Sequence, residues 1–298
     1  MSTADLSSVV AGAPSVGEAP TASVVVPVLN EAHYLPEFLE GLSRGIERSS
    51  EFRFVEAILV DDGSTDGSQE IIRRFGRNGS PVPIQLVERG MPTGPASAEL
   101  AGCKLARGDF VVKLDGDGQH DPALIPTLLD ATRRGSDIAI ASRYADGGAN
   151  DWPALRGLTS RTAVQIAKVL LPGARRVRDP LSGYFVVRAG MTKDLDLGIP
   201  KYKLLLYILT KHPHAAVREI PFIMRTRLYG ESKVVGRSPG FALDFLREVL
   251  RYFRLSVQQG NNGHAPTGVG LGPELEGEPA ASPSPSPQGP HGDPAGRA

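Results

Sequence analysis

Three oxygen-bearing side chains at alternate positions, Asp115, Asp117 and Gln119, follow the run Val111-Val112-Lys113-Leu114. An apolar run of that length reads as a strand, so two carboxylates and an amide are delivered at its end. Hard oxygen donors in this pattern suit a divalent cation such as Mg2+ or Mn2+, and a cation so held can bind a diphosphate. The spacing also opens a calcium loop of the EF-hand kind. That loop needs a glycine where His120 stands and a closing glutamate where Pro126 stands, so the calcium reading fails. Asp121 before Pro122 has the pattern of a helix N-cap with a first-turn proline.

A second acidic cluster lies upstream. The β-type run Phe54 to Val60 ends in Asp61-Asp62-Gly63-Ser64-Thr65-Asp66, and Asp66 with Gln69 has capping-box spacing, which predicts a helix start there. Strand, acidic turn and helix thus follow one another, and open α/β sheets bind ligands beyond the carboxyl ends of their strands.

The elements that must position these turns alternate along the chain. Strands are expected at Ser23 to Leu29, Phe54 to Val60, Val82 to Val87, Phe110 to Leu114 and Asp137 to Ser142. Helical patterns separate them near Ala32 to Glu47, Gly67 to Phe75, Ala96 to Ala106 and Ala123 to Arg133. Such alternation predicts an α/β fold: a mostly parallel central sheet with helices on both faces. Neither GxGxxG nor GxxxxGK occurs, so the strand-end acids must hold any nucleotide.

Composition narrows the classes. The 298 residues carry 33 basic and 33 acidic side chains, and this balance argues against a nucleic-acid binder. The lone Cys103 excludes an intrachain disulfide framework and fits a reducing, cytoplasmic setting. Residues 1–20 lack the basic start and apolar core of a signal peptide and read as a disordered leader. Residues 259–298, rich in Gly, Pro and Ser, read as a disordered tail. That leaves residues 21–235 for the main domain and 236–258 for a C-terminal amphipathic helix. In the helix Phe241, Phe245, Val249 and Phe253 recur every four residues beside Leu246 and Leu250, with Arg247, Arg251 and Arg254 for charge. This stripe predicts peripheral contact with a membrane surface or packing on the domain. No apolar run reaches the roughly 18 residues of a transmembrane span.

Ordered motifs then show a resemblance. Pro27-Val28-Leu29-Asn30-Glu31, Val60-Asp61-Asp62-Gly63-Ser64-Thr65-Asp66 and Asp115-Gly116-Asp117-Gly118-Gln119-His120 resemble the signatures of family 2 glycosyltransferases with the GT-A nucleotide-diphospho-sugar transferase fold. Ala141-Ser142-Arg143-Tyr144, Arg178 to Phe185, Tyr202-Lys203-Leu204-Leu205 and Arg225 to Lys233 are similar to segments of dolichol-phosphate and polyprenol-phosphate mannose synthases. The likeness spans about residues 22 to 255.

The resemblance implies an inverting, metal-dependent transfer of mannose from GDP-mannose to a polyprenyl phosphate. Asp117 and Gln119 would hold the metal, and Asp115 would support the metal shell or the ribose. Pro27, Leu29, Glu31, Val60 and Asp62 would line the base and ribose pocket. Arg227 and Lys233 would clamp the donor diphosphate, Arg143 would reach either the donor or the acceptor phosphate, and Arg156 and Ser160 would join it in holding the acceptor phosphate. Asp179 and Ser182 would organise the acceptor side, and His120 would orient the metal turn. A small membrane-anchoring partner fits a lipid acceptor. Two other readings share these residues: a GT-A glycosyltransferase using another nucleotide sugar or a soluble acceptor, and a non-catalytic nucleotide-sugar binding subunit.

Overall fold

The computed structural model describes residues 19–91, 94–152, 154–198, 203–225 and 241–261, without the side chains of 154–155, 241–242 and 259–261. Arg227 and Lys233 lie outside the described residues. The first half alternates as its pattern requires: β1 (Thr21–Val28), α1 (Leu35–Glu47), β2 (Arg53–Asp61), α2 (Ser68–Arg77), β3 (Ile84–Glu88), α3 (Pro95–Leu105) and β4 (Phe110–Lys113). A 3-10 turn (Pro122–Leu124) leads into α4 (Ile125–Arg133) and β5 (Ile138–Ser142). The second half holds β6 (Ala149–Asn150), α5 (Ala154–Leu170), α6 (Pro172–Arg175), β7 (Phe185–Arg188), α7 (Gly190–Lys193), α8 (Leu204–Lys211), β8 (Val217–Pro221), β9 (Ile223–Met224) and α9 (Phe241–Asn261).

Among the described residues the main sheet has seven strands in the order β3-β2-β1-β4-β7-β5-β8. β1 pairs in parallel with β2 on one side and β4 on the other. β7 runs antiparallel to both β4 and β5 and separates them. The expected strands all form, but consecutive β4 and β5 are not neighbours. β7 itself went unexpected, because its sequence reads as the end of the motif Arg178 to Phe185.

Side chains alternate across a strand, so one run of valines serves two cores. Val24 and Val26 join Phe38, Leu39 and Leu42 of α1 and Leu128 and Leu129 of α4. Val25 faces the other way, into a cluster with Ala98 and Leu100 of α3 and Leu205 and Leu209 of α8. Burial on both faces is why these strands read as near-continuous apolar runs.

Two local expectations change. The helix after the second acidic turn starts at Ser68 behind Gly67, whose φ of 91° needs a glycine. Asp66 accepts from the Ser68 amide and hydroxyl, but Gln69 reaches Asp61 at 2.7 Å instead of completing a capping box. The stripe on α9 is also split. Phe245 and Val249 turn inward with Tyr252, whose ring stacks on Tyr207 at 5.3 Å. The solvent-facing stripe is Leu243, Leu246, Leu250, Phe253 and Val257. α9 therefore docks on the domain core and is not a separate appendage. No helix among the described residues is long and apolar enough to cross a membrane.

α3 approaches the sheet closely at Gly102, where an added Cβ would lie 2.5 Å from Val25 Cγ1 and 3.0 Å from Val60 Cγ2. Both valines are buried and stiff, so Gly102→Ala should destabilise the fold by about 1–3 kcal/mol despite alanine's better helix propensity. Urea denaturation of the two proteins measures this.

Candidate functional site

The crevice lies beyond the carboxyl ends of β1, β2 and β4. Val28 pairs with Asp61, and Val25 with Lys113, so Asn30, Asp62 and Asp115 leave the sheet along one edge. β1 sits between strands that connect in opposite directions, which is where an open α/β sheet leaves room for a ligand.

The turn after β4 is shaped by its own backbone. Gly118 has φ 79°, and a Cβ there would lie 2.5 Å from the Tyr34 ring. Asp117 Oδ1 accepts the Gln119 amide at 3.1 Å, and Asp121 caps the following turn by accepting from Ala123 N. Gln119 donates Nε2 to the carbonyl of Arg225 at 2.9 Å. That commitment leaves its Oε1 as an oxygen ligand beside the buried Asp117 carboxylate. Among the described residues no group of three or more His, Cys, Asp or Glu could hold a metal ion. The donor set nevertheless fits a hard cation that takes its remaining ligands from a diphosphate. His120 packs against Tyr184 and Phe222 and accepts the Asp115 amide on Nδ1 at 2.9 Å. Burial holds its pKa below the usual histidine value, so it stays neutral and braces the turn.

Asp115 is oriented from behind by a lysine inside the sheet. Lys113 is fully buried, and its ammonium donates to Asp115 Oδ1 at 2.6 Å and the Gly183 carbonyl at 2.8 Å, and pairs with Glu99 at 2.8 Å. Burial alone would raise the Asp115 pKa, but Lys113 outweighs it and holds the carboxyl at about 2. At Glu99 the balance reverses: burial wins over Lys113 and lifts it to about 7. One ammonium is shared between two carboxylates, and Glu99, the more deeply buried of them, is the one left under-compensated.

The turns after β1 and β2, expected to hold the nucleotide, form a hydrogen-bonded frame. Asp61 is fully buried and spends its carboxylate on the Gly63 and Ser64 amides and on Gln69. Asn30, at φ 52°, exchanges bonds with Ser64 and Thr65, while Glu31 N donates to Ser68 Oγ. Asp62 accepts from Gly94 N and faces Arg89 at 3.6 Å. Pro27 and Leu29 are half-buried at the rim, but the Val60 side chain lies in the core against Gly102. Val60 can therefore meet a nucleotide only through its backbone.

The residues expected to hold the acceptor phosphate depart further from expectation. Arg143 is expected to reach a substrate phosphate. Its Nε and Nη2 instead grip both oxygens of Asp179 at 2.7 and 2.6 Å, so much of its charge is offset within the protein and only its other edge remains for a ligand. Arg143 and Arg156 both lie over the Trp152 ring, at 5.0 and 4.3 Å. Ser160 hydrogen-bonds Tyr144 at 3.0 Å. Ser182 is structural, donating to the Ala141 carbonyl at 2.7 Å and accepting from Tyr184 N. The structure thus gathers Arg143, Arg156, Ser160 and Asp179 around Trp152 and Tyr144. Sequence reasoning missed Glu99, Lys113, Arg89 and Trp152. The one visible signal was a lysine interrupting the apolar run of β4.

The raised Glu99 has a consequence for stability. Its folded pKa exceeds its unfolded one, so its contribution is complete below the ordinary glutamate value and is lost as pH rises towards 7. Wild-type stability should fall across that interval, by up to about 1.4 kcal/mol per pH unit from this group. Glu99→Gln keeps an acceptor for Lys113 and should flatten this slope, as urea denaturation at pH 5, 6, 7 and 8 would measure.

Similarity to known proteins agrees with this geometry. The family described as Glycosyl transferase family 2 matches residues 23–190. A dolichol-phosphate mannosyltransferase of Pyrococcus furiosus is 34% identical over 78% of the chain, which spans 63% of that relative's length. A dolichol-phosphate mannosyltransferase of Saccharomyces cerevisiae is 31% identical over 72% of this chain and 81% of its own. A polyprenol monophosphomannose synthase of Mycolicibacterium smegmatis is 30% identical over 72% of this chain and 80% of its own. In fold, the chain is similar to glucosyl-3-phosphoglycerate synthase of Mycobacterium tuberculosis, with a TM-score of 0.58 at 21% identity over 85% of this chain and 84% of that one. That enzyme has also been solved in complex with Mn2+ and uridine-diphosphate-glucose. A two-carboxylate turn at the switch point of such a sheet, within a match covering more than half the chain, makes this protein a glycosyltransferase that belongs to glycosyl transferase family 2.

Proposed function

We propose that the protein transfers mannose from GDP-mannose to a polyprenyl phosphate, releasing GDP, at the surface of a membrane. The observation that carries this reading is the pairing of Asp117 and Gln119 at the nucleotide crevice with a separate basic and aromatic pocket of Arg143, Trp152 and Arg156. Curated relatives named for dolichol-phosphate and polyprenol-phosphate mannose transfer support the choice of sugar and acceptor.

The chemistry follows from charge. A sugar nucleotide leaves as a nucleoside diphosphate, whose growing negative charge must be stabilised in the transition state. Asp117 and Gln119, backed by Asp115, would hold Mg2+ or Mn2+, which supplies Lewis-acid stabilisation when bound. Asp62 and Glu31, just beyond β2 and β1, orient the nucleoside, and Asp61 keeps the turn after β2 rigid. Arg227 and Lys233 complete the diphosphate clamp in this reading. The acceptor phosphate is anionic at neutral pH and attacks without a general base. Its capture therefore calls for cations, and Arg143 and Arg156 provide them around Trp152, with Ser160 alongside. Direct displacement inverts the anomeric centre.

The exposed stripe of α9 is the surface that would meet the membrane, with Arg247, Arg251 and Arg254 beside it. A small membrane-anchoring partner is compatible with the same surface. Basic residues near an anionic surface contribute about 1 kcal/mol each, so this binding should be weak and salt-sensitive.

The direct test incubates the protein with labelled GDP-mannose, GDP-glucose or UDP-glucose and polyprenyl phosphate. Mannose label alone should enter the lipid phase; transfer to a soluble alcohol with equal efficiency would overturn the lipid-acceptor reading. Asp117→Asn should lower turnover by about 10²- to 10³-fold with an unchanged circular dichroism spectrum. Calorimetry should find Mn2+ and GDP each binding more tightly in the presence of the other, because the turn alone offers too few ligands. Leu246→Ser with Leu250→Ser and Phe253→Ser should abolish sedimentation with anionic vesicles at low salt. Those positions are exposed, so the fold should survive, whereas Phe245→Ser would damage the core.

A further inference from the structure

One ammonium joins the turn after β4 to the loop that holds Arg143. Lys113 Nζ lies 2.6 Å from Asp115 Oδ1 and 2.8 Å from the Gly183 carbonyl, with Glu99 Oε1 at 2.8 Å as its third contact. The side chain is fully buried, so water does not compete for these contacts. Asp115 opens the turn that carries Asp117 and Gln119. Gly183 belongs to the loop between α6 and β7, in which Asp179 grips Arg143 Nε and Nη2 at 2.7 and 2.6 Å and accepts the Ser182 amide on its carbonyl at 3.3 Å. Turn and loop also pack directly. A Cβ on Gly183 would lie 3.1 Å from both Asp115 Oδ2 and His120 Cε1, and 3.5 Å from Lys113 Nζ.

Apolar side chains in place of a buried ion cluster often serve stability as well or better. Stability alone therefore does not account for a lysine in the middle of an apolar strand. No apolar side chain, however, could hold a carboxylate oxygen of one segment and a carbonyl oxygen of another at hydrogen-bond distance from a single atom. That atom fixes how far the Asp115 turn stands from the Asp179 to Gly183 loop. Reaction between two bound partners is steeply sensitive to their separation, since a misplacement of about 1 Å can cost 10²-fold in rate. We propose that Lys113 is a positioning residue for the transfer: it sets the separation between the turn that would hold the donor diphosphate through its metal and the loop that fixes Arg143 for the acceptor phosphate. This role deepens the proposed reaction and rests on it for the identity of the substrates. Glu99 supplies the third point that holds the ammonium in place from α3.

Wild type is compared with Gly183→Ala, and Glu99→Gln is compared with the double variant Glu99→Gln, Lys113→Met. Methionine keeps an unbranched stem without the charge, and glutamine at 99 avoids stranding a deeply buried carboxylate. Gly183→Ala leaves every charge in place and instead wedges a methyl group between the loop and Asp115. Circular dichroism and urea denaturation establish folding, calorimetry measures the binding of farnesyl phosphate and of GDP with Mn2+, and steady-state rates are taken with each substrate varied. A positioning role predicts that kcat falls by about 10- to 100-fold on Lys113→Met and on Gly183→Ala, while each ligand by itself binds within about threefold of the reference protein. If one of the two substitutions prevents folding, the other decides. A kcat within about twofold of the reference in a folded variant, or a loss that appears entirely as weaker binding of one ligand, would overturn the inference. An inactive wild type would overturn the proposed reaction and this role with it, whereas an active wild type with unimpaired variants overturns the role alone.

Discussion

The site depends on one ammonium placed where a sheet normally carries only apolar groups. Lys113 is fully buried within β4, and its contacts tie together three parts of the fold: Glu99 on α3, Asp115 at the end of its own strand, and Gly183 just before β7. Removing a charge from water is costly, so such a group persists only when its donors are met with good geometry. The result is that Asp115 leaves the sheet with Oδ1 fixed by the ammonium and Oδ2 3.6 Å from His120 Nδ1. Gly183 is part of the same fit, since a Cβ there would come within 3.1 Å of Asp115 Oδ2 and of the His120 ring.

The two sides of the crevice are built by different means. Around the turns after β1 and β2, short acidic and hydroxyl-bearing segments satisfy one another; Asp61 is used up internally, and the buried Asp62 is held by the Gly94 amide with Arg89 nearby. Around Trp152, the Arg143 charge is offset by the Asp179 carboxylate and its face meets an aromatic ring. Asp179 itself is held by Glu219, which accepts its amide at 2.9 Å, and it in turn fixes Arg143 above Trp152. A guanidinium so held cannot swing freely, and a rigid cation loses less entropy when a ligand binds.

Helix α9 links this chemistry to a surface. Its inner face closes the core around Tyr207 and Tyr252, while its outer face leaves five large apolar side chains in solvent. A period of 3.6 residues allows one helix to carry both faces. A stripe read from sequence cannot tell which one turns inward, because both are apolar at similar spacing.

Local chemistry was legible in the sequence. The oxygen donors Asp115, Asp117 and Gln119, the acidic turn after β2, the alternating strands and the tight turns follow from residue type and spacing, which act over a few neighbours. Long-range pairings were not. The antiparallel β7 between β4 and β5, the grip of Asp179 on Arg143 across 36 positions, the salt bridge from Lys113 to Glu99, and the commitment of Val60 to the core each bring together residues distant in sequence. Residue order places the ligands at the ends of strands; packing decides which charges are spent inside the protein and which remain for a substrate, because that outcome depends on partners that only the folded chain brings within hydrogen-bond reach.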